Sequence, residues 1–350
     1  MRRIFNLAVG LIVICLLVMP VQAMDIAAPE VPADVQKYMP EDTQSFGEGL
    51  WYVFRTTIES LRPDLLEAIK SGVMIVAITL LLSLAGNLSK LTDNVLSLLS
   101  AVSLGTVILF SAKTFISIGV ETIEKVNSYG RLLIPVLTSV AAANGAITAA
   151  SALYVGTILF TSILSGLLTS CVVPLIYIYM TLCIADCALQ NNAFKELKKF
   201  VKWLMTWSIK TILYVFTGYM GITGVISGSV DSASLKAAKL TISGAVPVVG
   251  GILSDASESI LVSAGILKNA AGIYGFLATV AICLGPFLRI GIQYWLLKLT
   301  TALCGVFGRK GSVTLLGEMS GAMGIVLAMT GAVCLLLLIS IVCFIRSGVL

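Results

Sequence analysis

The chain has no histidine, which excludes catalytic triads, general bases and metal sites built on imidazole. Charge is also scarce: acidic and basic residues make up 12% of the 350 positions, whereas 58% are hydrophobic and the mean hydropathy is +1.01. Soluble domains do not carry that balance. A phosphate-wrapping nucleotide loop is missing as well. The nearest stretch, Gly308 to Ser312, reads GRKGS and lacks the G-x-x-x-x-G-K-[ST] spacing that surrounds phosphates with backbone amides. Any energy-driven process involving this protein therefore takes its motor from elsewhere.

Cysteines number eight, with Cys15 in the N-terminal apolar run and the other seven in apolar surroundings. A disulfide framework is not expected. Cys183 and Cys187 share a helix face, but two thiols without further ligands make a poor metal site and are better read as small packing residues. No catalytic set, cofactor, metal or nucleic-acid partner is expected. A membrane-embedded enzyme is the least favoured class.

What the chain does contain is a series of apolar stretches of the length that crosses a bilayer, about 17–25 residues. Their number implies an all-α, polytopic integral membrane protein with the lipid bilayer as its first partner. Residues 1–23 have the three parts of a secretory signal: Arg2 and Arg3, an apolar run over 4–19, then Pro20 and Val21-Gln22-Ala23, with cleavage expected after Ala23. An uncleaved first membrane helix is the rival reading.

Residues 24–72 form an acidic, exported lead segment, with nine acids against four bases; the remaining mature chain has nine acids against seventeen. Such asymmetry is expected when positive charge is retained in cytoplasmic loops. Within the lead, Trp51, Phe54, Ile58, Leu61 and Leu65 recur at helical spacing, which predicts an amphipathic helix over 46–70 that Pro63 kinks or divides. Spans are expected at 73–89, 95–112, 132–150, one or two within 151–190, then 203–226, 270–288 and 323–344. A further stretch, 290–307, contains Lys298 and reads as a span or an interfacial helix.

These segments give an N-terminal bundle over 73–190, a basic cytoplasmic loop over 191–202, a membrane helix over 203–226 and a C-terminal membrane region over 270–350. The loop carries Lys195, Lys198, Lys199 and Lys202 and fixes the topology. Three or five crossings before it satisfy an exported residue 24, and five fits the lengths better if 151–190 forms a tight pair. The 203–226 span then returns the chain to the outer side. Lys210 within that span must snorkel, pair or face water. Gly224 with Gly228, and Gly317 with Gly321, have the G-x-x-x-G spacing that permits close helix approach.

Between the membrane segments lies the most particular part of the sequence, SGSVDSASLKAAKLTISGAVPVVGGILSDASESILVSAGILKN, residues 227–269. Asp231 suits the N-cap of one short helix, and Ser254 or Asp255 that of a second. Gly244, Pro247, Gly250 and Gly251 supply the connection between them. An amphipathic or re-entrant helical hairpin is expected on the outer side. Asp231, Lys236, Lys239, Asp255, Glu258 and Lys268 form a charge-balanced set, a candidate assembly or pore-lining surface, with Pro247, Gly250 and Gly251 at its turn. A solvated helix face is the competing reading.

Residues 216–275, FTGYMGITGVISGSVDSASLKAAKLTISGAVPVVGGILSDASESILVSAGILKNAAGIYG, resemble the signature region of the stage III sporulation protein AE family. The order of signal, acidic lead and flanking spans agrees along the chain. The resemblance implies a multi-pass protein of the mother-cell membrane around the forespore of an endospore-forming bacterium. Its implied partners are other stage III sporulation proteins, including a secretion-type ATPase and ring-forming components of a complex spanning both membranes. It carries over no catalytic residue. The sequence alternative is an independent secondary transporter with its substrate site at the Gly/Pro-broken hairpin.

Overall fold

The computed structural model describes residues 29–40, 46–88, 93–143, 147–189, 192–222 and 270–347. The expected signal peptide and the whole 227–269 hairpin lie outside the described residues. All regular elements among the described residues are helical: α1 (Ala33–Gln36), α2 (Phe46–Ser60), α3 (Arg62–Leu88), α4 (Asp93–Ala143), α5 (Ile147–Leu167), a π-helical turn (Leu168–Val172), α6 (Val173–Leu189), α7 (Asn192–Ile222), α8 (Ala270–Phe307) and α9 (Lys310–Ser347). This is an all-α membrane protein, with five helical runs long and apolar enough to cross a bilayer among the described residues: Arg62–Gly86, Asn94–Ala142, Ala150–Leu189, Gly272–Phe307 and Lys310–Ile345.

Local sequence explains where the helices start and stop. Pro63 sits in the first turn of α3, where its missing N–H costs no helical hydrogen bond, so α2 ends at Ser60 and a new helix starts at Arg62. The expected spans at 95–112 and 132–150 are not separate elements. Residues 93–143 form one helix of 51 residues. Charges alone do not break a helix, and Glu121 and Lys125 pair at i, i+4 (2.8 Å) across the polar stretch. Such a helix is about 76 Å long, more than twice the ~30 Å hydrocarbon thickness, so part of it stands outside the bilayer.

Residues 151–189 likewise belong to one continuous pass, without the tight pair that the apolar length allowed. Pro174 follows directly on the π turn, where the backbone widens to accommodate its missing donor. Among the described residues three long apolar runs therefore precede the Lys195–Lys202 cluster, the smaller of the two odd numbers and not the five that a tight pair would give. The stretch after 288 continues without a break through Arg289 and Lys298 to Phe307, so 270–307 is one helix. Helix α7 is amphipathic and is not among the five apolar runs.

Close approaches give the directions. Phe46 packs on Phe276 (ring centroids 5.4 Å apart), Arg289 Nε lies 3.0 Å from Asp64 Oδ2, and Ser83 Oγ donates to the Phe307 carbonyl (2.8 Å). Thus α2 and α3 descend beside α8 in the same direction. Helix α9 runs back against α8, with Gly272 beside Ile345 and Gly331 beside Phe287, and α4 runs parallel to α9, with Gly119 beside Met329 and Gly130 beside Leu337.

Helix α9 is the core. Of its most apolar stretch, 94% is buried inside the protein, against 22–50% for the other four runs. The run with the most apolar stretch among the five is thus sheathed by its neighbours instead of facing lipid. Exposed apolar side chains lie instead on the flanking helices, among them Leu81, Phe110, Val155 and Trp203.

Candidate functional site

The end of the bundle where α6, α7 and α9 meet holds a cluster of charges. Helix α6 brings Asp186 in its last turn, α7 brings Lys198 and Lys202 from its second and third turns, and α9 brings Glu318 from its third. Because α6 and α7 are joined by a short connection and run antiparallel, Lys198 returns alongside Asp186 twelve residues earlier. Lys198 Nζ donates to Asp186 Oδ2 at 2.9 Å and lies 3.4 Å from Glu318 Oε1. Lys202 Nζ approaches Glu318 Oε2 at 3.4 Å, and the Tyr179 hydroxyl also donates to Oε2.

Lys198 and Asp186 are the dry part of this network, with 7% and 8% of their side chains exposed; Glu318 is 27% exposed. An acid in the last turn of one helix and a base near the start of another both oppose the helix macrodipole. Each therefore depends on the other. Burial by itself lowers the Lys198 pKa, but the Asp186 hydrogen bond and the Glu318 charge outweigh it, so the ammonium titrates above the usual lysine range. Its charge is fully retained at neutral pH.

Gly321 makes room for the Lys202 ammonium, since a Cβ there would lie 3.3 Å from Nζ, whereas Gly317 faces Thr301 on α8. The two glycines thus serve different neighbours, not one helix seam. Gly224 and Gly228 lie outside the described residues.

Beside the cluster is a cavity of about 510 Å³, lined on one side by Asp186, Lys195 and Lys198 and on the other by Lys310 and Glu318. Cys183 and Cys187 also border it. Both thiols are buried and free, as packing residues would be, and the described residues contain no group of three or more His, Cys, Asp or Glu side chains placed to hold a metal ion.

None of the nine candidate residues of the hairpin, Asp231, Lys236, Lys239, Pro247, Gly250, Gly251, Asp255, Glu258 and Lys268, falls within the described residues. In sequence, the lysines of the α7 cluster read only as topology markers. Asp186 and Glu318 were not singled out, although both carry a readable signal. Asp186 is the first charge after the uncharged run 132–185, and Glu318 is the only acid after Glu258. An ionisable group within an apolar segment requires a partner.

Fold and cluster together define a polytopic helical membrane protein whose internal charges neutralise one another where three helices meet. The chain belongs to the stage III sporulation protein AE family, whose model, described as stage III sporulation protein AE, matches residues 34–348. It is similar to stage III sporulation protein AE of Bacillus subtilis (strain 168), at 26% identity over 234 residues, which cover 67% of this chain and 58% of that protein. The matched stretch thus spans just under three-fifths of the relative's length. No solved structure matches.

Proposed function

We propose that the protein is a non-enzymatic membrane component of a transenvelope channel or export complex that links mother cell and forespore during endospore formation. The observation that carries this reading is the mutual neutralisation of Lys198, Asp186, Glu318 and Lys202 between three helices. Charges paired in this way hold helices in register, which suits a structural part of an assembly. Family membership over 34–348 supports the sporulation setting. On this reading the protein sits in the mother-cell membrane, and its partners are a secretion-type ATPase and ring-forming membrane proteins of the same stage. Purification of the tagged protein from sporulating cells tests it: those partners are expected to co-purify, and recovery of the protein alone contradicts the proposal.

The second reading is an independent secondary transporter. The cavity beside Asp186 and Glu318 favours it, because its volume falls within the usual range of small-molecule sites, about 300–1,000 Å³. Uptake coupled to an ion or a second solute, by the purified protein in sealed vesicles, would support transport over assembly.

A further inference from the structure

The charges lining the cavity do not cancel. Lys198 pairs with Asp186 Oδ2 and Glu318, and Lys202 and the Tyr179 hydroxyl meet Glu318; among the described residues Asp186 Oδ1 is buried without a hydrogen-bond partner. Lys195 and Lys310 remain. Both are exposed, and among the described residues neither makes an ion pair. They stand on opposite walls of the same cavity, Lys195 in the first turn of α7 and Lys310 at the start of α9.

The cavity's place adds to the positive field. Gly311 lines it in the first turn of the 38-residue α9, where backbone N–H groups have no partner within the helix and the macrodipole is positive. The buried Lys198 ammonium forms part of the floor. The cavity lies between the end of one apolar run, Leu189, and the start of another, Lys310. There the apolar runs give way to basic polar sequence, the change a headgroup layer would meet. Leu315, Cys183 and Cys187 supply apolar wall toward the bundle.

We propose that this cavity binds a phosphate group, held between Lys195 and Lys310, with an anionic phospholipid headgroup as its source. Basic pockets between membrane helices recognise such headgroups by the same combination of fixed cations and an interfacial position. A headgroup that ends in a quaternary ammonium is disfavoured, because its cation meets the same two lysines. A soluble phosphate has the same chemistry without the acyl chains, and the test separates the two sources.

The test uses the full-length protein in detergent, titrated with phosphatidylglycerol, phosphatidylcholine or inorganic phosphate and followed by native mass spectrometry. Wild type is expected to retain phosphatidylglycerol in preference to phosphatidylcholine. The double variant Lys195→Gln/Lys310→Gln should retain it roughly thirty-fold less, given about 1 kcal/mol per lysine near a membrane surface. Lys199→Gln is the control. That lysine is exposed, pairs with Glu196 at 2.7 Å and does not line the cavity, so its loss should leave retention unchanged.

Either single variant, Lys195→Gln or Lys310→Gln, gives the same reading at smaller size if the double variant does not fold. Binding of inorganic phosphate that the double variant loses, without any preference for phosphatidylglycerol, would uphold the site and assign it to a soluble phosphate. Equal retention of both phosphatidylglycerol and phosphate by wild type and the double variant would overturn the proposal.

Discussion

Lys198 and Asp186 form a buried ion pair, 2.9 Å from Nζ to Oδ2, between two antiparallel helices. Removing one partner leaves the other charge dry and alone. Lys198→Met is therefore expected to destabilise the protein by about 3–5 kcal/mol, whereas Asp186→Leu/Lys198→Met should recover most of that loss. Thermal unfolding in detergent, arranged as a double-mutant cycle, measures both. Additive losses would show that the pair is not the local determinant of stability.

Gly275 and Leu133 tie α8 to α4. A Cβ on Gly275 would lie 2.7 Å from a Leu133 methyl, and Leu133 is completely buried, so it has little room to yield. Gly275→Ala is expected to cost about 1–3 kcal/mol through overpacking. Adding Leu133→Ala should make the glycine substitution less damaging than it is alone. Unchanged cost in the Leu133→Ala background would mean that the strain arises elsewhere.

Asp34 of the lead segment accepts a hydrogen bond from Lys125 of α4 at 2.5 Å. That bond lowers the Asp34 pKa below its ordinary value of 3.8, against an opposing push from burial. Because the folded value is depressed, the contact contributes above the unfolded pKa and is lost as pH falls through the folded one. With side chains 56% and 30% exposed, the pair contributes no more than about 1 kcal/mol. Hydrogen exchange over residues 29–40, corrected for its intrinsic pH dependence, should accelerate below about pH 4. Asp34→Asn should exchange fast already at neutral pH.

For the hairpin we propose an outward-facing interaction surface. Alanine at Asp231, Lys236, Lys239, Asp255, Glu258 and Lys268 together is expected to reduce both sporulation and co-purification with partner proteins. Single cysteines placed over 244–253 should react with membrane-impermeant reagents from the outer side. Reactivity only from the cytoplasm would overturn this topology.

The fold class was legible because hydropathy and length are direct requirements of a bilayer. The division into helices was less so. The boundary at Pro63 follows from a missing donor, but nothing in composition distinguishes two spans from the two ends of α4, since its charged middle is as helical as its flanks. Hydropathy was equally blind to the difference between α9 and a lipid-facing span: Leu336 and Ile341 are fully buried against protein, and apolar side chains satisfy either surrounding equally well. The charge cluster was half legible. Its lysines stand out by density and Asp186 and Glu318 by isolation in apolar sequence, whereas their pairing is set only where three helix ends converge.

The most direct test of the proposed assembly role is site-specific photo-crosslinking in sporulating cells, from positions spread through residues 227–269. Adducts with other stage III sporulation membrane proteins, lost when those partners are deleted, are the expected result. Adducts with lipid alone, from a protein that drives coupled uptake in vesicles without any partner, would contradict it.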